Sequence, residues 1–162
     1  ILVSGGRIGL QMELAPDDLL SACGGKQGSE TKKSYTADDA QTLLDAGAFD
    51  GEMEAVDSYV AAMLYGLDEA DVTEAVCYMA VDTSSSADEL AVLILADEAA
   101  ARKAEEGCKK RVERQIETCR DYCPAAVPHL EDAVVLRRGN TVLFAVGDPD
   151  ALSGALEKLS LS

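Results

Sequence analysis

The 162-residue chain has no tryptophan, one histidine and seven aromatic residues in all. So few rings offer no stacking platform for bases or sugars. A single imidazole excludes any site built from several histidines. No apolar run approaches the roughly 18 residues of a membrane-spanning helix. Basic residues are scarce: 14 against 30 acidic ones, for a net charge of −16. A nucleic-acid binder needs a lysine- and arginine-rich surface, so that class is excluded. The most pronounced absence is local. Residues 36–96 contain 14 acidic residues and no Lys or Arg, whereas residues 1–35 and 97–123 are each neutral overall. This stretch repels anionic polymers and headgroups and attracts cations or a basic partner.

Motifs of common enzyme classes are also missing. Residues 1–9, with Gly5, Gly6 and Gly9, lack the spacing of a dinucleotide loop, and Pro16, Asp17 and Asp18 interrupt the unit that should follow. There is no G-x-S-x-G elbow and no phosphate loop. The acids Asp50, Glu52, Glu54 and Asp57, like Asp68, Glu69, Asp71 and Glu74, do not match a calcium-binding loop.

What is present begins with Leu20-Ser21-Ala22-Cys23, which has the form of a bacterial lipobox: small residues before a cysteine that takes the lipid. The polar, glycine-containing stretch from Gly24 to Ser34 reads as a tether. Glu13, Asp17 and Asp18 stand where a signal peptide carries its apolar core, a departure from the pattern. The expected division is a leader and tether over residues 1–35 and a single domain over 36–162, with Cys23 as the lipid-attachment residue.

The domain reads as α+β. Thr36 with Asp38 and Asp39 predicts a capped helix ending at Gly47. Met53, Val56, Val60, Met63, Leu64 and Leu67 recur at spacings of three and four and predict a second helix. Val72–Val81 alternates as a strand, and Leu90–Ala96 is apolar on both sides, as a strand covered on both faces would be. Residues 97–123 predict the longest helix, with Ala101, Ala104, Cys108, Val112, Ile116, Cys119 and Cys123 as its buried stripe and Pro124 and Pro128 at its end. Ala133–Leu136 and Thr141–Val146 flank a turn as a hairpin, and Asp150–Leu159 closes the chain as a helix. The expected order is α-α-β-β-α-β-β-α, with an antiparallel sheet of about four strands packed on the long helix.

Cys119, Cys123 and His129 could be drawn as a zinc corner, or Cys123 and His129 as a nucleophile and its base. The stripe favours a plainer assignment, in which Cys77, Cys108, Cys119 and Cys123 are interior free thiols.

Several ordered motifs carry a resemblance: Leu64-Tyr65-Gly66-Leu67, Ala87-Asp88-Glu89-Leu90-Ala91-Val92, Arg111-Val112-Glu113-Arg114-Gln115, Tyr122 with Pro124, and Leu130-Glu131-Asp132-Ala133-Val134-Val135 before Gly139-Asn140. Over roughly residues 37–160 the chain resembles the bacterial family known as domain of unknown function 4358, small and mostly lipobox-bearing proteins of clostridial-type Gram-positive bacteria. The resemblance implies an extracytoplasmic, membrane-tethered domain and brings no catalytic residues. The expected role is binding or interaction with an envelope protein or small ligand, touching the membrane by its lipid anchor only. No cofactor, metal ligand or catalytic residue is assigned. The alternatives are a small cell-envelope hydrolase using carboxylates and a cation-binding accessory domain.

Overall fold

The computed structural model describes residues 34–161, so Cys23 and the lipobox lie outside the described residues. The domain opens with helix α1 (Ala37–Asp45), followed by strand β1 (Met53–Val56) and helix α2 (Ser58–Leu64). Strands β2 (Val72–Ala80) and β3 (Glu89–Leu95) lead into the 25-residue helix α3 (Glu98–Tyr122). A short helix α4 (Val127–Glu131), the hairpin β4 (Val134–Arg138) and β5 (Thr141–Val146), and helix α5 (Pro149–Leu161) complete it.

Local signals account for most boundaries. The Asp39 carboxylate accepts the Thr36 N–H at 2.7 Å, capping α1. Asp97 accepts the Ala100 N–H at 2.8 Å and starts α3. Pro124 follows the Cys123 cap of α3 and cannot continue its hydrogen-bond ladder; Pro128, by contrast, sits in the first turn of α4, where its missing N–H costs nothing. Gly139 turns the β4–β5 hairpin at a φ of 59°.

One expected element is corrected. The helix predicted to include Met53 and Val56 is a strand followed by a shorter helix. Met53 pairs with Ala80 and Val56 with Cys77, and Asp57 then accepts the Tyr59 N–H at 2.8 Å to start α2 afresh. The helical spacing of Met53 and Val56 is coincidental: three apart on one strand, they face opposite sides of the sheet and pack into different cores. The sheet therefore has five strands, in the order β1-β2-β3-β5-β4, and every pairing is antiparallel.

Both faces of this sheet are covered. One carries α2, α3 and α4 over Cys77, Ala91, Leu93, Val142 and Phe144. The other carries α1 and α5, with Leu43, Leu152 and Leu159 packed on Leu90, Val92 and Leu143. Strand β3 is central and six of its seven residues are buried, as expected for an apolar run facing two helical layers. Helix α3 presents its predicted stripe to the first core, with Ala101, Ala104 and Cys108 fully enclosed.

Candidate functional site

Two charged residues open β3, and each is almost wholly buried: Asp88 just before the strand and Glu89 at its first position. Burying a carboxylate costs several kcal/mol unless partners replace its water. The partners differ, and so does what each arrangement can do.

Glu89 points into the core beneath α3. Arg111 Nε lies 2.7 and 2.9 Å from its two oxygens, and Tyr65 Oη donates to Oε1 at 2.6 Å. Tyr65 Oη also lies 3.5 Å from Cys77 Sγ. Its single proton is committed to the carboxylate, so the thiol is the donor of that weaker contact. Tyr65 packs edge-on against Phe144, ring centroids 5.7 Å apart. Burial, reinforced by the Glu89 charge, pushes the Tyr65 hydroxyl and the Cys108 thiol well above their ordinary values. Burial likewise pushes the Cys77 thiol up to about 11. Burial alone would ease the proton off Arg111, but the bonds and charge of Glu89 outweigh it and hold it on more firmly. This network is a charged clamp joining α2, β3 and α3. Protonated thiols with raised values are poor nucleophiles, so the cluster suits structure better than covalent chemistry.

Asp88 lies at the end of the sheet, where loops and α4 meet. Its Oδ2 accepts the Asp50 N–H at 2.7 Å, and its own N–H donates to Ser86 Oγ at 3.0 Å. Its other oxygen, Oδ1, faces His129 Nδ1 at 3.4 Å. The Asp50 carboxylate completes a group whose three ligand-capable atoms lie within 4.8 Å of one another. Asp88 is buried, His129 half-buried and Asp50 exposed, so the group opens to solvent on one side. Among the described residues this is the one group of three or more His, Cys, Asp or Glu side chains close enough to hold a metal ion.

Of the residues weighed from sequence, Cys119 and Cys123 are buried free thiols at the end of α3, and Cys77 on β2 and Cys108 in the middle of α3 are buried free thiols too. Burial, and Cys123 beside it, raise the Cys119 thiol. His129 turns to Asp88. Sequence reasoning missed the Asp50, Asp88 and His129 group because each member comes from a different connection. It also missed the clamp, although two signals were present. Arg111 interrupts the apolar stripe between Cys108 and Val112, and Glu89 heads an otherwise apolar strand.

The acidic half also carries an apolar surface. Tyr59, Val60 and Met63, at neighbouring positions along α2, are 55, 42 and 63% exposed. Glu54 and Asp57 before them in the chain and Asp68 after them are exposed too, and Asp68 faces Lys103 of α3 at 3.5 Å. No helix among the described residues is long and apolar enough to cross a membrane.

Comparison with curated proteins and with solved structures returns no match. Residues 45–147, from the end of α1 to the residue after β5, match the family model described as Domain of unknown function (DUF4358). That span holds all five strands, the clamp and the Asp50, Asp88 and His129 group, and the chain belongs to this family.

Proposed function

We propose that the protein is an extracytoplasmic interaction domain, held at the membrane by a lipid on Cys23, that docks an envelope protein through the outer face of α2. The observation that carries this reading is the exposed group Tyr59, Val60 and Met63, which stands in the acidic stretch without Lys or Arg. Apolar side chains clustered on one short helix are costly to leave in water, and such patches rimmed by polar groups mark interaction surfaces. Residues 36–96 supply no basic residue, so the complementary partner face is basic with an apolar centre. The lipobox form of residues 20–23 and the polar tether after it support the anchor.

A photo-crosslinker placed at Met63 in the membrane-bound protein tests the docking face, with Ser153 on α5 as the control position. The expected result is one discrete adduct from Met63 that is lost with Tyr59→Asp and weakened by salt. Identical adducts from both positions would refute it. The anchor is tested separately: Cys23→Ala should release the protein from the membrane fraction and abolish acyl labelling.

A further inference from the structure

The geometry points to a divalent transition-metal site, of zinc-like chemistry, formed by Asp50, Asp88 and His129. This goes beyond the docking reading and does not depend on it.

Asp88 is deeply buried yet only loosely paired with its imidazole neighbour. Its side chain is 2% exposed. A buried carboxylate beside an imidazole should close on it as a charge-assisted bond of about 2.7–2.9 Å. The observed separation of Asp88 Oδ1 and His129 Nδ1 is 3.4 Å. That is long for such a bond, but it is the spacing of two ligands on one ion. Atoms bound tetrahedrally at about 2.0–2.2 Å lie about 3.3–3.6 Å apart.

The surroundings fit the same assignment. The Asp50 N–H holds Asp88 Oδ2, which leaves Oδ1 as the oxygen turned to His129; metal-ligating carboxylates are typically oriented by such outer bonds. The exposed Asp50 side chain has the freedom to swing in as the third ligand. One imidazole nitrogen and two carboxylate oxygens suit zinc and its neighbours, whereas magnesium and calcium favour all-oxygen shells. Three protein ligands leave one position for water or for a donor atom from a bound molecule.

The test is zinc binding by the intact chain, followed by calorimetry and by cobalt substitution. The expected result is one zinc per chain, retained against excess magnesium and calcium and raising the thermal midpoint. His129→Ala and Asp50→Asn alter half-buried and exposed positions, so both variants should fold, which circular dichroism checks. Each should weaken zinc by at least about tenfold. The cobalt form should show a tetrahedral visible band without thiolate-to-metal charge transfer. Zinc binding indifferent to His129→Ala, thiolate charge transfer assigning the ion to the cysteines, or no zinc-dependent rise in the midpoint would each overturn the inference.

Discussion

Glu89 and Arg111 meet under the long helix with both carboxylate oxygens on one guanidinium nitrogen, at 2.7 and 2.9 Å, and with Glu89 also accepting the Tyr65 hydroxyl. Each charge is buried, so the value of either depends on the other. Removing one partner of a buried pair typically costs about 3–5 kcal/mol, mostly from stranding the survivor. Arg111→Met should therefore destabilise strongly in urea unfolding. Adding Glu89→Gln should recover part of the loss, because the amide leaves no stranded charge and still accepts from Tyr65. A double variant that is as unstable as the two single losses summed would show that the two side chains act independently.

Two helical glycines should respond oppositely to alanine. A Cβ on Gly107 would collide with the Tyr65 carbonyl oxygen, so the end of α2 and α3 meet there at backbone contact. Gly107→Ala must push the helices apart and should cost at least about 1–3 kcal/mol despite its better helix propensity. A Cβ on Gly154 of α5 would meet nothing within 4 Å. Gly154→Ala should stabilise by about 0.5–1 kcal/mol. Thermal midpoints moving in the same direction would contradict this.

The four interior thiols should be silent in the native protein and all react after unfolding, as followed with a thiol reagent under reducing-agent-free conditions. The pH dependence has a definite sign. Burial favours the protonated Cys77 thiol, raising it from the ordinary 9.0 to about 11. Its contribution to stability is thus complete below pH 9 and is lost as pH rises through 11. Cys108 and Tyr65, raised by burial as well, act in the same direction. Urea midpoints should fall on the alkaline side, and Cys77→Ala should flatten that fall.

Folding gathers the 14 acidic residues of positions 36–96, and bases from α3 answer few of them: Arg111 pairs with Glu89, and Lys103 reaches Asp71 at 2.6 Å. Sodium chloride should raise the thermal midpoint by screening. Magnesium and calcium at matched ionic strength should do so equally, since no spacing among these acids forms a calcium loop. A saturable rise specific to calcium would contradict this.

The long helix, the central strand and the hairpin were legible because each is long or sharply bounded enough for its period to show. The stripe from Ala101 to Cys123 repeats over six turns or so, and Leu90–Leu95 is apolar throughout. Strand β1 was not legible. Four residues hold only two alternations, and what makes Met53–Val56 a strand is its pairing to β2 some twenty residues on. The Asp50, Asp88 and His129 group was hidden for a related reason. A loop, a strand entry and a short helix each contribute one side chain, and only the closed sheet fixes their separation. Spacing alone does not tell which side of α2 is covered: Val60 and Met63 share the period of Leu64 and Leu67, yet they face solvent.

The strand order carries a consequence for how the chain is made. Strand β3 gains β2 as soon as it is synthesised, but its other neighbour is β5, which follows only after the long helix and β4. During elongation the central strand of the sheet thus presents a bare, apolar hydrogen-bonding edge. Nascent chains that stop before Val146 have no native segment with which to seal it. Such fragments are the species prone to pair with one another, and the β4–β5 hairpin is what ends that exposure.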